Sequence, residues 1–499
     1  MSSSAPASIT TYFPVPGGSD FTLANLPFGI FSPTPDAQPR PATRLGDTVI
    51  DLAFLSRAGL LPPAAAAALA DARTLNAFMA AGRPTWRSTR AALSALLGGG
   101  SSATTPSLCS CILQGATSAS VSGDNACASS PLPCAAAALN AAAYPAASVT
   151  MHLPAAIGNY TDFYSSRSHA TNVGIMFRGA AAALQPNWLH MPIGYSGRAS
   201  SVVVSGTAIA RPVGQIVSSA GGAPTLAPSA ELDFELEVGT LVGPGTSLGE
   251  RVPAAAAEEH IFGLVLLNDW SARDIQRWEY VPLGPFGAKN FGTLISPWVV
   301  TLEALEPFRA APPVSEPSDP PRLPFYVGGP AGSYDVQLEV EVRASGGGSA
   351  VVSRTNFRHM YWDLRQQLAH HTLTGCNLVP GDLMGSGTIS GPVRCALWSV
   401  ALSMLTTRLP LPLVSCAPHP STHKHHDHPI ACLQDPSSFG SMLELAWRGT
   451  KPVALSDGST RSFIEDGDEV IMRGWAERDG VRVGFGECAG VIVPARLPI

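Results

Sequence analysis

The chain has 499 residues, 45% hydrophobic and only 14% charged, so it is long enough for two or three domains with buried cores and is neither a disordered acidic chain nor a charged coiled coil. Thirty-one basic residues against 37 acidic ones give a net charge of −6 with no basic block, which argues against a surface for nucleic acid. The 48 glycines and 45 prolines predict many turns and much β-structure and weigh against an all-helical fold.

No basic residue precedes Arg40, so neither a signal peptide nor a transit peptide is expected, and the longest nearly apolar run, Cys395–Thr407, is too short for a membrane span. A cytoplasmic protein without a membrane partner is the expectation. Residues 20–52 carry short apolar runs with Gly and Pro punctuation, as small strands do, and 63–97 is an Ala-rich helical region. From about Gly98 to Ala147 the chain is rich in Ser, Ala and Gly and reads as a low-complexity linker. The predicted organisation is therefore an N-terminal module over 1–147, its linker starting at about 98, and a larger domain over 148–499. In the larger domain Ser201–Val204, Leu232–Val242, Val336–Val342 and Glu469–Met472 read as strands, and Phe357–His371 is the clearest helix, so the domain is predominantly β.

The nine cysteines are odd in number and form no paired CxxC motifs, so neither a disulfide framework nor a zinc site is expected. Seven of them fall in two irregular stretches, the linker and Val393–Gln434. The second stretch lacks a clear strand or helix period and also holds His419, His423, His425, His426 and His428. Those histidines have a ligand-like composition for a transition metal but no element to fix them. Excising Val393–Gln434 leaves a short connection from Pro392 to Asp435, and its ends are compatible with splice sites, so a retained in-frame intron is expected there.

The alternation in Glu231–Glu237 puts Glu231, Asp233, Glu235 and Glu237 on one strand face and Leu232, Phe234, Leu236 and Val238 on the other. A solvated face is the ordinary reading of such a pattern; the sharper one is an oxygen-rich site for a hard cation, completed by Asp162 and Asp269. His169 lies in what reads as a polar loop, Ser165–His169, and Glu444 in what reads as an apolar strand. Either alone is ordinarily structural; together they supply a base and its orienting carboxylate. Between Trp270 and Thr293, Arg273, Gln276, Tyr280 and Lys289 crowd a turn-rich run whose donors suit an anionic substrate or a developing oxyanion. The glycines of Gly243–Gly249 have neither dinucleotide spacing nor a following helix, so nucleotide binding is not expected.

Taken together, Leu26–Phe31, Thr161–Arg178, Pro186–His190, Gly194–Ser201, Asn268–Gln276 and Ser386–Pro392 resemble the fumarylacetoacetase family, and the likeness runs from the N-terminal module to the C-terminus except in the two irregular stretches. The resemblance implies a mainly β fold with some α, a small SH3-like barrel followed by a mixed β-roll domain, associating as a homodimer. It implies metal-dependent hydrolysis of the carbon–carbon bond of 4-fumarylacetoacetate, the last step of tyrosine and phenylalanine catabolism. By motif position Asp162, Glu235, Glu237 and Asp269 would bind Ca²⁺ or Mg²⁺, with a further cation site near Asp269, Lys289 and Thr293. His169 would deprotonate water, oriented by Glu444; Arg273, Gln276 and Lys289 would stabilise negative charge; Tyr164, Arg178, Tyr195, Gln276, Tyr280 and Thr388 would contact substrate. Under this reading Glu231 and Asp233 revert to a solvated face. The family usually has Asp at the position of Asn159, a departure expected to matter little. The alternatives are hydrolysis of another acylpyruvate or 1,3-diketone acid, against which the N-terminal module speaks, and a non-catalytic relative acting as a binding protein.

Overall fold

The computed structural model describes residues 10–99, 131–218, 221–313, 315–392 and 436–496. The N-terminal module is a five-stranded antiparallel sheet in the order Ala143–Pro145, Thr48–Asp51, Arg40–Leu45, Phe28–Ser32, Thr150–His152. Its Ala-rich region folds, as expected, into helices over Pro63–Leu69, Asn76–Ala80 and Gly82–Leu97.

The linker requires correction over its second half. Pro131–Ala141 is helical, Ala143–Pro145 is the edge strand beside Thr48–Asp51, and the sheet continues past 147 to His152. Alanine has the highest intrinsic helix propensity, so an Ala-rich composition reads alike for a linker and for a helix, and the edge strand is specified by its partner. Residues 100–130 of that stretch, and the segment 393–434, lie outside the described residues.

The larger domain is built on an eight-stranded sheet. Its main path runs Gly194–Gly197, Tyr160–Phe163, Leu383–Gly385, Leu236–Val242, Ile261–Asp269, Thr293–Ile295, Val202–Val204, and Val300–Thr301 also pairs with Ile261–Asp269. A second sheet runs Ser349–Asn356, Gln337–Arg343, Glu469–Arg478, Val481–Val493, Ile209–Ala210. Leu264, Leu266 and Phe234 from one side and Leu338, Met472 and Phe485 from the other share one core. The run Leu232–Val242 is not one strand: Leu232–Asp233 pairs with Ser271–Ala272, and the chain enters the large sheet only at Leu236. Phe357–His371 likewise divides into a single turn at Phe357–His359 and a helix at Leu364–Leu373, started by Asp363 and Gln366 in a capping box.

The module and the large domain share apolar packing. Phe28, Phe78 and Trp86 of the module lie against Phe262 of the large sheet, with ring centroids 5.8, 5.8 and 5.1 Å away. Burying a side chain of this size stabilises by about 1.5–3 kcal/mol. Phe28 and Val299 also exchange two main-chain hydrogen bonds, of 3.0 and 2.7 Å. Among the described residues no helix is long and apolar enough to cross a membrane.

Either side of 393–434 the chain leaves and returns at one place. The Gly391 N–H donates to the Ser438 carbonyl at 2.8 Å, and the Gly440 N–H donates to Ser390 Oγ at 3.0 Å. These flanking contacts do not require the intervening residues, so excision of 393–434 is expected to leave a folded chain. A deletion variant should melt cooperatively at a temperature no lower than that of the full chain in calorimetry; loss of the transition would show that the segment is integral.

Candidate active site

A cavity of about 440 Å³ opens beside the large sheet, and twelve of the fifteen candidate residues line it. The remaining three, Glu444, Asp269 and Thr293, are buried behind its wall. Neighbouring strands bring the acids together. Asp162 is the last residue but one of Tyr160–Phe163, opposite Tyr195, Glu237 is the second residue of Leu236–Val242, and Asp269 closes Ile261–Asp269 opposite Thr293. Glu235 precedes Leu236 at the break between the two strand segments, and the four acids each offer an oxygen within 4.8 Å of one another. Gly387 (φ 78°) passes so close to the 163–164 backbone that a Cβ would sit 2.3 Å from the Phe163 carbonyl oxygen; its N–H reaches Glu237 at 2.9 Å.

Their electrostatics call for a cation. Asp162, Asp233, Glu235, Glu237 and Asp269 are all buried, and the buried cations among them are Arg273 and Lys289. Lys289 Nζ bonds Glu235 and lies 2.6 Å from Asp269 Oδ2; Arg273 Nη2 lies 2.6 Å from Glu235 Oε1. Burial would raise Glu235, but Lys289 and Arg273 outweigh it and hold that carboxyl low. Asp162 and Glu237 have no such partner: burial first, then the surrounding carboxylates, push both well above the usual range. Asp162 Oδ1, Glu237 Oε1 and the Tyr160 hydroxyl are buried without a hydrogen-bond partner. An all-oxygen donor set with orphaned anionic atoms fits a hard metal ion. Lys289 and Thr293, expected at a further cation site, both donate to Asp269, Thr293 Oγ1 at 3.2 Å. A protonated lysine only donates, so its side chain acts there as a fixed positive charge and not as a ligand.

The expected base and carboxylate meet on a different local structure from the one anticipated. His169 is not in a loop but in the first turn of the helix Arg167–Arg178, capped by Ser166; Glu444 is not in a strand but in the short helix Met442–Leu445, capped by Ser441. The signal overlooked is Ser441-x-x-Glu444, a helix-start pattern. His169 Nδ1 lies 2.6 Å from Glu444 Oε2. The same carboxylate accepts from Asn172 Nδ2 at 2.9 Å, Ser441 Oγ at 2.8 Å and Ser390 Oγ at 2.9 Å. Burial would raise Glu444, but His169 and these donors more than offset it and keep its pKa below the ordinary value. Asn172, Ser390 and Ser441 were not anticipated as functional; as short polar residues they carry no signal until Glu444 is placed among them.

Tyr164 stacks edge-on to His169 with centroids 5.3 Å apart, Thr388 is buried, and Tyr280 stands half-exposed among the residues lining the cavity. Arg178 donates to the carbonyls of Ala182 and Ala183. Arg273 Nη1 holds Gln276 Oε1 at 3.1 Å. Asn159 is exposed, and its carbonyl accepts from the Leu383 N–H at 3.0 Å. Asp233 overturns its reading as part of a solvated face: it is fully buried and ion-paired with Arg273 at 2.7 Å, whereas Glu231 stays partly exposed against Arg277.

The raised carboxyls set a pH dependence. As pH climbs past the ordinary values of 3.8 and 4.5, the unfolded chain ionises Asp162 and Glu237 while the metal-free folded chain keeps their protons, so metal-free stability falls with rising pH until the raised folded values are passed. In chelator the melting temperature is expected to fall from about pH 5 to 8 relative to protein in millimolar divalent cation, and Glu237→Gln should shrink that difference. Parallel profiles with and without the cation would contradict this charge arrangement.

Comparison with known proteins matches both parts of the chain. The Fumarylacetoacetase N-terminal profile matches residues 24–154, and the Fumarylacetoacetate (FAA) hydrolase C-terminal profile matches 159–488. The chain is 44% identical over 491 residues to the fumarylacetoacetases of Rattus norvegicus and Homo sapiens, covering 98% of this chain and 100% of each relative. It is 42% identical over 495 residues to that of Arabidopsis thaliana, covering 98% of this chain and 99% of the relative. With both profiles matched in order around one assembled cavity, the chain belongs to the fumarylacetoacetate hydrolase family.

Proposed function

We propose that this chain hydrolyses 4-fumarylacetoacetate to fumarate and acetoacetate, the last step of tyrosine and phenylalanine catabolism. The observation that carries the reading is a hydrogen-bonded His169–Glu444 pair and four clustered carboxylates at one cavity, in a chain 44% identical to named fumarylacetoacetases along almost its full length. That full-length likeness favours this substrate over another diketo acid and over a binding role.

Glu444 occupies Nδ1 of His169 and leaves Nε2 as the nitrogen that takes a proton from water. The water oxygen then bonds to the carbonyl carbon beside the fumaryl group, the carbon–carbon bond on its far side breaks, and the electron pair leaves with the acetoacetate fragment, which takes up a proton. Arg273, Gln276 and Lys289 hold donors at the cavity wall where negative charge grows. Arg178 bonds main-chain carbonyls, which keeps its positive charge available to a substrate carboxylate; Tyr164, Tyr195, Tyr280 and Thr388 line the same space. Asp162, Glu235, Glu237 and Asp269 would hold Ca²⁺ or Mg²⁺, the cations that an all-oxygen set selects. Such an ion, when bound, supplies Lewis-acid polarisation of the diketone oxygens.

A homodimer is part of this reading, supported by the exposed apolar run of Val281, Leu283 and Phe286, which are 66, 96 and 73% accessible. A cytoplasmic setting is supported by the free thiols Cys376 and Cys488.

Purified protein should remove fumarylacetoacetate absorbance only when a divalent cation is present. His169→Ala and Glu444→Ala should each lower kcat by about 10²–10⁴-fold while melting near the wild-type temperature. Near wild-type turnover by His169→Ala would remove the assigned base. Glu235→Gln should weaken Ca²⁺ and Mg²⁺ binding in calorimetry, and unchanged affinity would remove the assigned metal ligands.

A further inference from the structure

The two halves of the cavity, the His169–Glu444 pair and the Arg273 end of the acidic cluster, come from segments far apart in sequence, yet one buried side chain touches the supports of both. Asp233 is fully buried in the two-residue strand Leu232–Asp233, whose partner strand Ser271–Ala272 immediately precedes Arg273. Its Oδ2 accepts from Arg273 Nε at 2.8 Å and lies 2.7 Å from Nη2. Toward the other half, Oδ1 accepts from the Met442 N–H at 2.6 Å and Oδ2 from the Leu443 N–H at 3.1 Å. Those two N–H groups belong to the opening turn of the helix that carries Glu444, where main-chain donors have no partner within the helix.

We infer that Asp233 is a positioning residue that holds Arg273 and the Glu444 helix in register, so that the charge-stabilising and water-activating groups face the same substrate. This rests on the reading above of His169, Glu444 and Arg273 as the working groups. A helix of four residues has little stability of its own. Ser441 caps the Glu444 N–H, and Asp233 takes the two N–H groups before it, so the first turn is held entirely by side chains. On the opposite side Arg273 is shared between Asp233 and Glu235, and its remaining nitrogen holds Gln276. A carboxylate at 233 serves both ties because it only accepts. An amide has a single acceptor oxygen: placed at Oδ2 it leaves its NH₂ opposing the Met442 N–H, and placed at Oδ1 it turns the NH₂ against the guanidinium and the Leu443 N–H, so Asn loses a bond in either orientation and the ion pair in both. The chemistry at 233 is thus set by geometry from both sides, unlike that of Glu231, whose side chain pairs with the partly exposed Arg277.

Two variants separate this role from plain folding. Asp233→Asn removes the charge and at least one of these hydrogen bonds. Met442→Pro deletes the 2.6 Å donor at the first helical position, where proline is tolerated, and leaves the Asp233–Arg273 pair intact. Full-length protein would be read in three ways: the melting transition, the split of turnover into kcat and KM, and the downfield ring N–H proton resonance of His169, assigned by its loss in His169→Ala. Each variant that melts cooperatively is expected to lose about tenfold or more in kcat with KM changed less than about threefold, and to weaken or shift the resonance. Asp233→Glu, which restores the charge, should recover part of both losses. A folded Asp233→Asn with kcat within about threefold of wild type and an unmoved resonance would overturn the positioning role and leave the catalytic reading standing. If neither variant melts cooperatively, Asp233 serves folding alone and the inference falls. Wild-type protein without a resonance that His169→Ala removes would overturn both readings.

Discussion

Taking a carboxylate out of water costs several kcal/mol unless cations or hydrogen bonds replace the lost solvation. This chain buries Asp162, Asp233, Glu235, Glu237 and Asp269 together against Arg273 and Lys289. That imbalance organises the site. Glu235 is held ionised by direct pairing, Asp233 pairs with Arg273 although burial leaves its carboxyl above the ordinary range, Asp269 shares Lys289 with Glu235, and Asp162 and Glu237 are left with orphaned oxygens. The fold tolerates the arrangement because the acids sit at the break and ends of strands, where main-chain hydrogen bonding continues around them and only the side chains require compensation.

The same economy appears at the base. Glu444 is as buried as the acidic cluster, yet it is satisfied without a metal: His169, Asn172, Ser390 and Ser441 surround it with donors. Three of the four sit in or at the start of a helix. His169 and Asn172 are one helical turn apart, and both Ser166 and Ser441 spend their hydroxyls on helix starts. The imidazole is therefore oriented by a network that the cavity does not disturb.

Among the described residues the N-terminal module contributes none to the lining of the cavity, and its part is mechanical. Phe28, Phe78 and Trp86 close over Phe262 on the strand that ends at Asp269, so its packing fixes the element that carries one acid of the cluster. At the other side of the molecule the Gly391–Ser438 contact joins the chain on either side of 393–434 and keeps Ser390 and Glu444 adjacent.

Residue pattern and motif spacing established by themselves a mainly β fold with a small leading module, the family, and a set of candidate residues that the structure gathers at one cavity. Strand alternation placed Glu235 and Glu237 on one face, since period two is a property of the backbone alone. What lay beyond the sequence is what depends on partners distant in the chain. Asp233 has the same alternation as Glu231, and only the arrival of Arg273 and the 442–445 helix makes one a buried tie and leaves the other against solvent. Ala143–Pro145 reads as linker until Thr48–Asp51 offers it an edge. Ser390 and Asn172 acquire a role only because Glu444 is folded between them. Local periodicity is written in neighbouring residues and can be read from them, whereas burial, ion pairing and hydrogen-bond satisfaction belong to groups that meet only when the chain is folded, and tertiary structure alone decided those.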